Sequence, residues 1–411
     1  MLKLGQLIFG LTYSPSFPAM LKVFNSKVGA FISLGLCSLA AFTCAYAAEP
    51  STKLNLTLPA GFKIAIFAKL DSAPRMMAFD KNGNLYVSSA QGNQIIMLPD
   101  ANKDGLAEAA VLVSDKLNAP NGLAFVGDDL LVANQNGIVK LTKNNKNWSV
   151  KPFLSGLPSG GHTLKTIKVG VDNHLYLNVG SSCNVCVEDV PLRATILRYT
   201  LEGKPAGSSI QESLNATSPI WAKGLRNSQG FAWHPKTGDM FATNNGSDNR
   251  SDKKNGKVND ELPPEHFNKI EPGKHYGWPH CWGEQVVDPN FSGADNFCKT
   301  TTPPAITFTS HATPIGVTFL DKTHFPVEYK NDAIVALHGS WNRKQLSGYK
   351  LVRVKFNGEI PVVIEDFATG WLQNNQAWGR PVDVITGPDG ALYVSDDGAN
   401  VIYRISYKNT P

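Results

Sequence analysis

The feature that most constrains this chain is a pattern that comes round six times. Each copy runs from a polar loop through a short apolar strand, a tight turn and a second strand into a polar, Gly-rich loop. The copies begin at Pro74, Pro120, His162, Arg226, Thr313 and Arg380. The first reads PRMMAFDKNGNLYVSSAQG and the last RPVDVITGPDGALYVSDDG. Asn-Gly and Asp-Gly steps between β-rich runs predict hairpins. Most copies continue into a third strand, as in QIIML, GIVKL, ATILRY, YKLVRV and VIYRI. No helix-length amphipathic pattern interrupts them. A β-sandwich does not account for six in-phase copies. The expectation is an all-β fold, a six-bladed β-propeller. The last copy lacks a fourth strand, and the run FKIAIF at 62–67 lies unclaimed. It is predicted to complete the last blade and close the ring, leaving no exposed sheet edge there.

The spacing of the copies is uneven. Successive anchors at 75, 121 and 162 are followed by wider gaps to 226, 313 and 380. The longest excursion, 248–310, holds Tyr276-Gly277-Trp278-Pro279, Trp282, Cys281 and Cys298. A loop of that length in a compact domain is more often functional than a plain connection. The expected domain is therefore 48–411, with 248–310 inserted on the face that carries the site.

Residues 1–47 read as a signal peptide, with a retained anchor helix as the alternative. Lys22 and Lys27 precede an apolar run, and Ala45-Tyr46-Ala47 offers small residues for cleavage after Ala47. Met20 gives an alternative start of ordinary signal length. Removing 1–47 takes away Lys3, Lys22 and Lys27 and lowers the formal charge from +5 to +2. That balance leaves no footprint for nucleic acid and no polybasic membrane surface. With 42% hydrophobic and 18% charged residues, the bulk of the chain is not disordered. A periplasmic or secreted location follows, and no membrane span is expected after cleavage. Cys183, Cys186, Cys281 and Cys298 are then expected oxidised. Pairing within each sequence-local pair is the simplest scheme, with zinc at Cys183 and Cys186 as the alternative.

In a propeller the first strand of each blade lines the central channel. The residues before it, and those after the second strand, collect at one mouth. This places Arg75, Asn121, His162, Arg226-Asn227, His311 and Arg380 together. The second loops add Ser181-Ser182, Gly246-Ser247, His338 to Arg343 and Asp396-Asp397. The set is rich in arginine, histidine and amides, with acids mainly in one loop. Guanidinium groups suit a small polyanion because they bind carboxylates bidentately. His162 is a candidate general base. Arg226 is a candidate stabiliser of developing negative charge. The chemistry that fits is proton removal from a hydroxyl beside an anionic cofactor. Pairing of Arg75 or Arg380 with Asp396 or Asp397 is the structural alternative. Asp100 to Gly105 resembles the first half of a calcium loop, but Val111 stands where a sensor loop has glutamate.

Taken in order, six motifs resemble the sorbosone dehydrogenase-like family of soluble sugar dehydrogenases that use pyrroloquinoline quinone (PQQ). They are Gly161-His162, Gly180 to Asn184, Leu225 to Gly230, Tyr276 to Pro279, His338 to Arg343 and Trp378 to Pro381. The resemblance implies a propeller with PQQ at the channel mouth and a calcium ion polarising the quinone. It implies His162 as the base that takes the hydroxyl proton while hydride passes to the cofactor. Arg226 and Asn227 match residues against the quinone carbonyls. Arg380 matches a binder of cofactor carboxylate, with Arg75 and Arg343 as weaker matches. The backbone carbonyls of Gly246 and Ser247 match calcium ligands, as a hard cation requires. Two departures stand out. Ser181-Ser182 replaces an acid behind the base, and Val382 replaces a second cofactor arginine. The expected substrate is a sugar, aldose or related alcohol. No haem motif follows Cys186, where Val187 stands, so the electron acceptor is expected to be separate. A calcium-dependent lactone hydrolase and a non-catalytic binding propeller are the competing readings.

Overall fold

Six four-stranded antiparallel sheets account for the six copies of the repeat. They are seen in a computed structural model of the protein, which describes residues 54–145, 147–208 and 218–408. The signal segment 1–47 lies outside the described residues. Blade 1 comprises Met77–Phe79, Leu85–Ser89, Gln94–Leu98 and Val111–Ser114. The inner strands of the other blades are Leu123–Val126, Ile167–Val169, Phe231–Trp233, Pro314–Phe319 and Pro381–Thr386.

Ring closure occurs as the leftover strand predicts. Phe62–Lys69 pairs antiparallel with Val401–Tyr407 and becomes the outer strand of blade 6, with Ile64 opposite Ile405 and Ile66 opposite Tyr403. Both ends of the propeller domain therefore meet in one sheet. The Phe62 ring packs edge-on against Phe325, Phe367 and Tyr407, which ties that strand to blade 5 as well.

The core is divided among the seams. Each neighbouring pair of blades encloses its own apolar cluster. Leu85 and Val87 of blade 1 meet Tyr393 and Ile402 of blade 6. Leu131 and Ala133 of blade 2 meet Leu175 and Leu177 of blade 3. Phe241 and Phe267 of blade 4 meet Val317 and Val335 of blade 5. The second strands Leu85–Ser89, Leu175–Val179 and Ala333–Leu337 are buried at every position, because a blade has neighbours on both faces. Such strands read as continuous apolar runs rather than as alternation.

Blade 4 shows how the excursion is built. The stretch 248–310 is not one loop: it contains the blade's third and fourth strands, Glu265–Ile270 and Ile306–Phe308. The connection 271–305 carries a short hairpin, Cys281–Trp282 with Val286–Val287, and one helical turn, Asp295–Cys298. It runs along blade 3, bridging Lys223 to His275, and sets the Trp278 indole N–H on the Asn184 carbonyl. Cys183 is bonded to Cys186 and Cys281 to Cys298, the sequence-local scheme, so neither sulfur of the first pair is free for zinc. In the loop starting at Asp100, carboxylate oxygens accept from the loop's own backbone: Asp100 from Asp104 and Gly105, and Glu108 from Ala101. No helix among the described residues is long and apolar enough to cross a membrane.

Candidate active site

The floor of the mouth is apolar. Met76, Ile315 and Val382, from three inner strands or their approaches, pack together across the channel. Val382 is fully buried there and forms part of the floor. Above it opens a cavity of about 220 Å³. Its cations are Arg75, Arg226 and Arg380, and its imidazoles are His162, His311 and His338. Amides come from Asn227, Gln229, Asn245 and Asn342. Gly246 and the indole of Trp341, which is 69% exposed at the rim, complete the named part of the wall.

Two acids also line it, Asp248 and Glu265. Sequence reasoning did not single out either as a site residue. Glu265 begins the third strand of blade 4, which starts at the mouth because it pairs with the end of the second strand there, His266 opposite Asn244. That phase in the repeat was the available signal. Its Oε2 accepts the Gly246 N–H at 2.5 Å. Burial pushes the Glu265 carboxyl up to about 7, against the lowering effects of Gly246 and Arg226.

His162 is oriented from behind. Its backbone N–H donates to the Ser181 carbonyl, and its Nδ1 lies 2.9 Å from Ser181 Oγ and 3.2 Å from the Ser181 carbonyl. The Ser181 hydroxyl donates its own proton to the Cys183 carbonyl at 2.7 Å. Both partners of Nδ1 are thus acceptors, so Nδ1 carries the hydrogen and Nε2 keeps a free lone pair. Ser181 thus orients the imidazole from behind. Two glycines permit this contact. A Cβ on Gly161 (φ +60°) would stand 2.5 Å from the Ser181 and Ser182 carbonyl oxygens, and one on Gly180 would stand 2.5 Å from His162 Cβ. Burial, then the Arg226 cation, lowers the imidazole to about 4.

Arg226 is 4% exposed. Its Nε donates to the Asn184 carbonyl at 3.1 Å, and one terminal nitrogen reaches Asn184 Oδ1 at 2.9 Å and Asp248 at 2.8 Å. Burial opposes its charge, while Asp248 and Glu265 support it. Asp248 also accepts from Asn342 Nδ2 at 3.1 Å.

The remaining arginines differ in what they have left to give. Arg75 donates to Asp397 at 2.8 Å, to Gln229 at 3.0 Å and to Asn121 at 3.4 Å. Burial would raise Asp397, but His338 at 2.8 Å and Arg75 together hold it well below the usual carboxylate range. Among the described residues Arg380 makes no such carboxylate pair. Its guanidinium donates to the His338 and Gly339 carbonyls, and its backbone N–H, not its side chain, binds Asp396. Asn121 is fully buried beneath Arg75, where it donates to the Lys165 carbonyl, and is not part of the cavity wall. Arg343 is not part of it either. It turns to the excursion, where it pairs with Glu261 at 2.5 Å and donates to the Ser310 carbonyl at 3.0 Å. Ser247 is buried just outside the wall, its hydroxyl donating to the Asn184 carbonyl at 3.3 Å.

Comparison with known proteins places this architecture. A PQQ-dependent pyranose dehydrogenase of Coprinopsis cinerea is 25% identical over 90% of this chain, which spans 57% of that protein's length. An aldose sugar dehydrogenase of Escherichia coli is 26% identical over 83% of this chain and 82% of its own length. The fold is that of a Trichoderma reesei carbohydrate-active enzyme of family AA12, with TM-score 0.75 at 19% identity, covering 88% of this chain and 100% of that one. The TrAA12-like family model matches residues 56–408, a span that includes the whole ring and all six motifs, and the chain belongs to that family.

Proposed function

We propose that the protein is an exported PQQ- and calcium-dependent dehydrogenase that oxidises a hydroxyl of a sugar, aldose or related alcohol and passes electrons to a separate acceptor. The observation that carries the reading is His162, held with an unprotonated Nε2 in a cavity walled by guanidinium groups. The names of the Coprinopsis and Escherichia relatives point the same way.

The donor set suits the proposed groups. Buried amide oxygens of Asn227, Asn245 and Asn342 have no donor among the described residues, so a ligand or cation would satisfy them. Arg380 has guanidinium capacity for a carboxylate, and Arg75 and Arg226 add positive charge. The Gly246 and Ser247 carbonyls are candidate hard oxygens for a calcium ion, and the Glu265 carboxylate is held close by on the Gly246 N–H. When bound, PQQ would supply the two-electron acceptor and calcium the Lewis acid that polarises it.

The residues of the chain do the rest. His162 Nε2 accepts the hydroxyl proton, and Ser181 keeps Nδ1–H pointing away from the substrate. Arg226, braced by Asp248 and Asn184, faces the charge that develops. An anion in the cavity would offset the push of Arg226 on His162, the second cause of its lowered value after burial. Trp341 offers an aromatic face at the entrance.

Calorimetry of PQQ against the mature protein, with calcium and then with chelator, tests this. Calcium-dependent binding, together with dye-linked sugar oxidation that collapses in His162→Gln while PQQ still binds, is the expected result. No binding to folded protein would overturn it. Convergence of Asp248 and Glu265 on one cavity favours a second reading, a calcium-dependent lactone hydrolase. That reading requires lactone turnover with calcium and without PQQ.

A further inference from the structure

We propose that Asn184, clasped in the loop closed by the Cys183–Cys186 disulfide, is the positioning residue that fixes both Arg226 and Asp248 in the working site. The inference rests on the reading above, that the cavity removes a proton at His162. Residues 180–194 join the second and third strands of blade 3 without regular structure of their own apart from turns. Asn184 is exposed to solvent, and an asparagine in such a turn ordinarily serves only the turn itself. Here its partners all lie on other elements.

The Asn184 carbonyl accepts from Arg226 Nε at 3.1 Å, Trp278 Nε1 at 3.2 Å and Ser247 Oγ at 3.3 Å. Its Oδ1 accepts from Arg226 at 2.9 Å and from the Asp248 N–H at 2.7 Å, and its Nδ2 donates to the Asp248 carbonyl at 2.9 Å. The side chain thus grips both backbone groups of Asp248, whose carboxylate is the other partner of Arg226. Blade 3, blade 4 and the excursion are joined at one residue.

The disulfide links this grip to the base. Cys183 and Cys186 are three positions apart, and Asn184 lies inside the ring they close. The Cys183 carbonyl takes the Ser181 hydroxyl proton, and this commits Ser181 Oγ to accept from His162 Nδ1. Opening the ring frees the Cys183 carbonyl to move. The Ser181 hydroxyl can then donate to Nδ1, which puts the imidazole hydrogen on Nε2, the wrong nitrogen for a base. Holding catalytic groups by a rigid supporting shell is worth much of their effect, because displacements near 1 Å cost about 100-fold in rate.

Two variants and two measurements separate this from a role in loop stability alone. The variants are Asn184→Ala and the pair Cys183→Ser with Cys186→Ser, each checked for an unchanged melting temperature. The first measurement is nitrogen-15 histidine NMR of the protein without cofactor, with the His162 signals assigned by their loss in His162→Gln. The second is PQQ calorimetry in calcium. Asn184→Ala is expected to weaken PQQ about tenfold, the loss of roughly one charge-assisted bond, and to keep the Nδ1–H tautomer. The serine pair is expected to weaken PQQ similarly and to show a mixed tautomer. Parental PQQ affinity in Asn184→Ala, or a pure Nδ1–H tautomer in the serine pair, overturns the proposal. Should the serine pair fail to fold, the Asn184→Ala affinity decides. Should the parent itself not bind PQQ, the dehydrogenase reading falls, while the tautomer in the serine pair still reports on the clasp.

Discussion

Replacing His162 with glutamine should make the fold less sensitive to acid. In the native protein the imidazole is lowered from 6.5 to about 4, first by burial and then by the Arg226 cation, with the Ser181 carbonyl and Asp248 opposing. In the unfolded chain it returns to its ordinary value. A folded-state value below the unfolded one means that the unfolded chain binds the extra proton. The contribution to stability is therefore complete above pH 6.5 and is lost as pH falls through 4. At about 1.36 kcal/mol per pH unit, this group alone removes roughly 3 kcal/mol by pH 4, an upper figure because the side chain is partly exposed. Glutamine has no proton to gain. Urea unfolding of parent and variant at pH 7 and pH 4 reads the difference. His266, His275 and His338 are also held near 4 by burial, and they steepen both curves alike. The comparison therefore isolates His162. On going from pH 7 to pH 4, the stability difference should move by roughly 2–3 kcal/mol in favour of His162→Gln. Parallel pH dependences would refute both the buried, neutral imidazole and the influence of Arg226 on it.

Arg380→Ala should weaken PQQ about 10- to 100-fold by calorimetry, as loss of a charge-assisted contact would. Arg343→Ala should leave that affinity within about twofold, because its guanidinium is spent on Glu261 and Ser310, away from the cavity. Phe67 is 3% exposed in the seam of blades 6 and 1, edge-on to Tyr393 at 5.0 Å. Phe67→Ala should destabilise the ring by about 3–5 kcal/mol in denaturant titration. Gly161→Ala forces a Cβ to 2.5 Å from two carbonyl oxygens at φ +60°. It should cost about 1–3 kcal/mol and displace His162, read as lost turnover with the propeller's circular dichroism retained.

What was legible in the chain was whatever the repeat carries. Turn chemistry at Asn82-Gly83 and Asp389-Gly390 marks hairpins, and six hairpins in phase leave few folds open. The unclaimed strand at 62–67 was readable because the last copy lacked a partner for its third strand, and a sheet edge demands one. The repeat also carried position at the mouth. His162, Arg226 and Arg380 each sit just before an inner strand, so topology alone brought them together. Phase gives a place but not a direction. Arg343 and Asn121 have the right place, yet Arg343 turns to an acid in the excursion and Asn121 lies under Arg75. Each answers to a partner from a distant part of the chain.

The acids were illegible for a related reason. Twenty residues separate Glu265 from the second strand of its blade, so the third strand of blade 4 did not register as part of the repeat, and the phase that would have pointed its first residue at the mouth went unread. Its carboxylate changes the electrostatic reading of the site. Arginines and amides alone describe a receptor for an anion. Adding Glu265 beside Gly246, and Asp248 on Arg226, gives a cavity that holds carboxylate oxygens as well as guanidinium groups. On the proposed function, an anion and a hard cation bound together would answer both kinds of group at once. Cooperative binding follows: calcium should tighten PQQ and PQQ should tighten calcium by the same factor, since linkage is reciprocal. Titrating each in the presence and absence of the other, in parent and in Glu265→Gln, measures that factor. Equal affinities with and without the partner would show that the two kinds of group act independently, and would remove the electrostatic case for a joint site.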